Sequence, residues 1–446
     1  MSTTTIGEVL RPGDDGYEQH RRLWNGAVDR RPAMIARPRT AAEVASAVRM
    51  ATSTGLEIAV RGGGHSIPGL SVVDGGLMID LSAMKRVDVD PGARLARAEP
   101  GLLWREYDAA TQAHGLASPG GEISHTGVAG LTLGGGIGWL SRRYGLAADN
   151  LVGAQVVLAD GSIIDVDEDH ELLWGLRGGG GNFGIVTEFR FRLHQVEPVF
   201  AGLAGWPASR TPEVLEQFLK LADDAPRDLS LVALQAVAPP APFVPAELRL
   251  QPFVGVVAMW TGDPAEGQAL LADLHRGAPL DTFGVQPYTD VQQSADDGVP
   301  HGRRYHLRSE WLIRLDTSVV DVLADAAAAM SSPFNQLLVR RLGGAIADVP
   351  DDATAFSFRG AQYMSTIVAG WDDGDGAPHA AWTRQTWEAM RPWSQGAGYV
   401  NHLDADEGRD RVRAAYGDAT WERLVALKRR YDPGNVFHLN QNVDPT

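Results

Sequence analysis

The sequence predicts an α+β protein built in two lobes, and three observations carry that prediction. The chain has 446 residues, more than one hydrophobic core of ordinary size organises. Up to about Pro198 it reads as short strands and helices punctuated by glycine clusters. Beyond Pro198, long strands alternate with helices, the pattern of an antiparallel sheet covered by helices on one face.

The elements follow in order. Residues 33–76 form an α/β unit. "PAMIARPRT" is a short strand ending in a proline turn. "TAAEVASAVRMATSTG" is a helix with Thr40 as its cap and Gly55 as its stop. "EIAVRGGG" is a strand running into a glycine loop. "GLMIDLSAM", "RVDVD" and "LARAEPG" are short strands separated by Gly, Asp and Pro. "LWREYDAATQAHG" is a second amphipathic helix. "AQVVLADGSIIDV" is a strand pair turning at Asp160-Gly161, and "GIVTEFRFRLHQV" alternates as a further strand. In the second lobe, "ELRLQPFVGVVAMW" and "RSEWLIRL" read as strands and "SVVDVLADAAAAM" as a helix. The tail "WERLVALKRRYDPGNVFHLNQNV" returns to helix plus loop. No internal repeat or low-complexity linker interrupts the chain.

Composition narrows the function. Hydrophobic residues make up 44% and charged residues 22%, a globular balance. The net charge of −16 disfavours a broad nucleic-acid or anionic-membrane surface. There is no cysteine, which excludes disulfides, thiolate metal sites and thiol nucleophiles. No run of 18 apolar residues appears and Met1 to Asp15 carries no export signature, so the expected location is the cytoplasm.

Many of the 51 glycines gather in three clusters. The first, Arg61-Gly62-Gly63-Gly64-His65-Ser66-Ile67-Pro68-Gly69, follows a strand. Successive glycines there let backbone N–H groups converge on a phosphate, with His65 at the tip. A tight turn with an incidental histidine fits the same residues. The second cluster, residues 127–139, offers a small-residue surface for a planar or phosphate ligand, or a close helix–sheet contact. In the third, Gly179, Gly181 and Gly184 match a dinucleotide GxGxxG pattern. The pattern requires strand, loop, helix in that order. Here a helical stretch precedes and a strand follows, so a nicotinamide site is set aside. His301, His306 and Glu310 suggest a metal cluster, but their spacing on a strand does not put them on one face, and no metal is expected.

Taken together, "RGGGHSIPG", "GVAGLTLGGGIGWLSRRYGLAADNL", "LLWGLRGGGGNFGIV", "YVN" at Tyr399 to Asn401 and "RYDPGNVFHLNQN" resemble one family. It is the berberine-bridge-enzyme-like branch of the vanillyl-alcohol oxidase superfamily of flavin-linked oxidases. The resemblance implies a PCMH-type FAD-binding domain over residues 1–197, a substrate domain over 198–394 and a C-terminal segment, 395–446, returning to the FAD domain. It implies FAD joined through His65 to the flavin 8α-methyl, since neutral imidazole is a competent nucleophile. Arg61, Gly62, Gly63, Gly64, Ser66, Gly69, Pro119, Gly120, Gly127, Gly130, Thr132, Gly134, Gly184, Val186 and Asn440 are the implied cofactor contacts. Where some members attach the flavin a second time through cysteine, this chain has Ile123, so attachment is single.

Tyr399 is the implied base or orienting group, with Tyr144 as the alternative and Asn401 beside the ring. Arg308 and Tyr363 are substrate-pocket candidates, and small Thr132 marks the side from which oxygen approaches. The implied activity moves a hydride from a sugar, secondary alcohol or amine to FAD, which O2 reoxidises with release of H2O2. The alternatives are a dehydrogenase using another acceptor and a flavin-binding protein without turnover.

Overall fold

The apolar runs Met34–Arg37, Leu77–Asp80 and Ile58–Arg61 align as parallel neighbours in a four-stranded sheet, with Glu8–Leu10 antiparallel at one edge. The computed structural model describes residues 5–446. The helix Ala41–Thr54 covers this sheet with Val44, Ala45, Ala47, Val48 and Ala51. Its ends are as the sequence predicts. Thr40 Oγ1 accepts the Glu43 N–H at 3.2 Å, and Gly55 stops the helix at φ 71°.

A second sheet is five-stranded and antiparallel, in the order Val87–Asp90, Leu95–Ala98, Ile185–Arg192, Leu151–Val157, Ile163–Val166. The hairpin between the last two turns at Gly161, with φ 77°. Leu103 precedes the helix Trp104–Gln112, which seats the fully buried Trp104 and Tyr107 in the same core as Phe189 and Phe191.

The third sheet is the largest, eight-stranded and antiparallel throughout. Its long strands include Val199–Pro207, Leu229–Val237, Pro252–Trp260, Arg304–Leu312, Gln336–Arg341 and Tyr363–Trp371. The helices Thr211–Asp223, Pro264–His275, Val319–Ala328 and Ala377–Ala389 pack one face, burying Val214, Phe218, Leu271, Leu323 and Trp382 against it. Two strand boundaries differ from the sequence reading. "ELRL" stays outside the strand because the chain turns at Leu250, which has φ 58°. The other strand ends at Leu312, leaving Ile313 exposed. Among the described residues no helix is long and apolar enough to cross a membrane.

The tail is held by one buried cation. Lys428, on the helix Asp418–Tyr431, donates from Nζ to Asn182 O at 2.8 Å, Asp432 Oδ2 at 2.7 Å and Phe437 O at 2.9 Å. Asp432 in turn accepts the N–H groups of Val436 and Phe437. Both charges are fully buried and fully partnered, which is what makes the pair tolerable. Removing one partner strands the other. Lys428→Met is therefore expected to lower unfolding free energy by about 3–5 kcal/mol. Urea denaturation checks this; a loss under about 1 kcal/mol would mean the pair does not clamp the tail.

Candidate cofactor and substrate site

The first two glycine clusters, far apart in sequence, meet backbone to backbone. A Cβ on Gly63 would sit 2.4 Å from Gly127 Cα, and one on Gly127 would sit 2.4 Å from Gly63 N. No side chain fits there, so glycine is required at both positions. The third cluster closes the same region: Gly180 N–H donates to Leu133 O at 2.8 Å. The tail reaches it too, through Asn440 Nδ2 to Gly181 O at 3.1 Å. Between these loops and the uncovered face of the large sheet lies a cavity of about 410 Å³.

His65 stands on the cavity wall, and its ring lies between other rings. It stacks on Trp24 at 4.2 Å and faces His125 at 5.1 Å, with His301 edge-on at 6.3 Å. Trp24 is itself backed by Tyr305 at 3.9 Å. Burial, reinforced by the neighbouring imidazoles, holds His65 well below the usual histidine range, so it is neutral at pH 7. Its Nε2 is buried with no partner among the described residues. Among those residues no group of three or more His, Asp or Glu is placed to hold a metal ion. His306 and Glu310 do share a face of the strand Arg304–Leu312, contrary to the spacing argument. Both are tied to the polar side, His306 to Thr383 and Asp406, and Glu310 to Trp387 and Arg411.

Tyr399 reaches the second cluster from the C-terminal segment. Its hydroxyl oxygen accepts the Gly136 N–H at 2.9 Å and Asn401 Nδ2–H at 2.8 Å. Asn401 also donates to Leu131 O at 3.0 Å and lies on Gly134, where a Cβ would collide with it. Burial pushes the Tyr399 phenol up to about 12 despite these two donors. It therefore keeps its proton at neutral pH and is poorly suited to the role of base.

Of the expected residues, Gly62, Gly63, Gly64, His65, Ser66, Gly127, Gly130, Gly134, Gly184, Val186, Tyr399, Asn401 and Asn440 line the cavity, as does Ile123. Others do not. Arg61 turns back to donate to His20 O at 2.5 Å. Gly69 packs on Val28, and Gly120, next to Pro119, packs on the Trp104 ring. The helix Val128–Leu133 presents Ala129, Gly130 and Leu133 to the cavity and turns the buried Thr132 away. Tyr144 stacks on His194 at 4.1 Å and donates to Gln195 O, outside the cavity.

Arg308 and Tyr363 are on cavity-lining strands but one residue out of phase. Leu307, Met364, Thr366 and Val368 face the cavity. Arg308 instead pairs with Asp406 at 2.5 Å, and Tyr363 donates to Asp223 at 3.3 Å. Trp24, Glu122, Arg340 and His402 also line the cavity and escaped the sequence reading. Neither Arg340, in the non-alternating run "QLLVRR", nor Trp24 carries a local sequence signal for this placement.

The site fits FAD. Glycines 130 and 181 line the cavity, and a Cβ on either would meet nothing within 4 Å. Asn440 Oδ1 and His65 Nε2 are polar atoms left without partners among the described residues.

Known proteins agree with this reading. The chain matches a model of the FAD binding domain over residues 32–167, and one described as berberine and berberine like over residues 398–444. It is 31% identical to an FAD-linked oxidoreductase of Dictyostelium discoideum, over 98% of this chain and 95% of that one. It is 30% identical to the (R)-6-hydroxynicotine oxidase of Paenarthrobacter nicotinovorans, over 98% of this chain and 97% of that one. The crystal structure of 6-hydroxy-D-nicotine oxidase from Arthrobacter nicotinovorans superposes with a TM-score of 0.86 at 26% identity, covering 100% of both chains. With the glycine clusters joined around one cavity and the C-terminal segment closing it, the chain belongs to the berberine-bridge-enzyme-like family of FAD-linked oxidoreductases.

Proposed function

We propose that this enzyme is an oxidase that takes a hydride from a small organic substrate onto FAD held covalently at His65, with O2 as the final acceptor and H2O2 as the product. The observation that carries the proposal is His65 itself. A neutral imidazole, clamped by Trp24 and with an unpartnered nitrogen at a glycine-lined cavity, is arranged for a bond to a ligand carbon. FAD, when bound, supplies the hydride acceptor and the route of electrons to oxygen. A small residue on the flavin side favours oxygen access, and Gly130 has that property here: it lines the cavity, whereas Thr132 does not. We also propose that the cavity separates an FAD-binding part, residues 1–197 with 395–446, from a substrate-binding part, residues 198–394.

Denatured protein digested to peptides tests the attachment. One FAD is expected on the peptide containing His65, and air reoxidation of substrate-reduced enzyme should release peroxide in equal amount. An unmodified His65 peptide from yellow protein contradicts the attachment. Slow reaction with air but fast reaction with a quinone makes the enzyme a dehydrogenase, and no reduction by any sugar, alcohol or amine makes it a flavin-binding protein without turnover.

Tyr399 is assigned to orienting the substrate by donating its O–H. Its oxygen already accepts two N–H groups, and burial keeps it protonated. Tyr399→Phe should therefore slow anaerobic flavin reduction by about tenfold, the worth of one hydrogen bond. Loss of a general base would cost about 10² to 10⁴. The rate profile should keep its shape from about pH 6 to 9, since a phenol near 12 does not titrate there. A loss of hundreds-fold together with a vanished pH inflection would restore the role of base.

A further inference from the structure

The large sheet turns one face to the cavity, and alternate residues of two strands belong to it. Gln336, Leu338 and Arg340 come from one strand, and Met364, Thr366 and Val368 from its neighbour. The antiparallel register sets Leu338 opposite Thr366 and Arg340 opposite Met364. Arg340 and Thr366 are thus diagonal neighbours, close enough to address one small group. Both carry a buried polar atom without a partner among the described residues, Arg340 Nη1 and Thr366 Oγ1. Gln336 is engaged with Gly298 O at 3.0 Å.

The rest of the guanidinium is committed. Arg340 Nε donates to Glu122 Oε1 at 2.6 Å, and Nη2 binds the other carboxylate oxygen. This forked pair fixes the arginine and cancels its charge. Buried polar atoms without partners are costly, so a ligand that supplies an acceptor at this spot is favoured over one that does not.

We propose that Arg340 and Thr366 form the substrate-recognition spot of this enzyme, selecting an uncharged, largely apolar molecule with one hydrogen-bond acceptor. The proposal rests on the reading of the cavity as the site of a small-molecule oxidase. The chemistry of the walls excludes the other classes. A carboxylate would have to compete with Glu122 for the arginine and lie beside its charge. Among the described residues Glu122 is the one acidic residue lining the cavity and is already paired, so an ammonium group finds no counter-ion. A sugar brings many hydroxyls to a wall that, besides Arg340 and Thr366, offers Gln336, whose amide N–H is engaged by Gly298 O, and the apolar Leu307, Leu338, Met364 and Val368, leaving most of them unmatched. Glu122 is a positioning residue here, because it acts by holding Arg340.

Equilibrium binding to the oxidised, FAD-containing protein tests this without turnover. The probes are acetophenone, ethylbenzene, benzoate, benzylammonium and glucose, followed by calorimetry. Acetophenone is expected to bind at least about tenfold tighter than each of the others. Arg340→Met should bring acetophenone down to the level of ethylbenzene and leave ethylbenzene unchanged; Thr366→Val should cost acetophenone about threefold. If Arg340→Met is poorly folded because Glu122 is stranded, the double variant Glu122→Gln/Arg340→Met removes that charge, with the same result expected. Tighter binding of benzoate, benzylammonium or glucose, unchanged discrimination in the variants, or no binding of any probe overturns the proposal. Arg340-dependent acetophenone binding in a protein that oxidises nothing would leave this spot standing and sink the oxidase reading alone.

Discussion

The site depends first on the contact between Gly63 and Gly127. Each occupies the place where the other's Cβ would be. Two chain segments can approach this closely only where neither has a side chain, and that approach seats the His65 loop against the second cluster. The other parts of the site hang on this contact. Gly180 bonds to Leu133 at the end of the helix that follows Gly127, and Asn401 rests on Gly134. Tyr399 is held through Gly136 and Asn401, so its position is inherited from the same loop.

Burial, more than charge, sets the chemistry of the cavity. His65, His125, His301 and His402 are all held below the usual range by desolvation, so this end of the site contains imidazoles without positive charge. The same effect keeps Tyr399 protonated. The permanent charges nearby, Arg340 and Glu122, are locked in a pair.

The cofactor side was legible in the sequence because it is made of local motifs. Three glycine clusters and a tail motif announce themselves by composition, and the order read around the third is the one observed, with the helix Glu171–Leu176 before it and the strand Ile185–Arg192 after it. The substrate side was not legible, because it depends on strand phase. Arg308 and Tyr363 are on the correct strands and face the wrong way, while Arg340 and Thr366 face the cavity. A shift of one residue reverses the face of a strand, and no local motif records which face the helices cover. Trp24 was invisible for another reason: its place under His65 follows from tertiary packing alone.

The proposed attachment of FAD at His65 depends on the Gly63–Gly127 contact, and flavin content measures that most directly. Gly63→Ala protein should be folded by circular dichroism, since the obstruction is confined to one loop contact. Its flavin-to-protein ratio should fall to less than about one tenth of wild type, because the loop must shift to admit the methyl group. Folded Gly63→Ala protein with a full complement of flavin bound at His65 would contradict it.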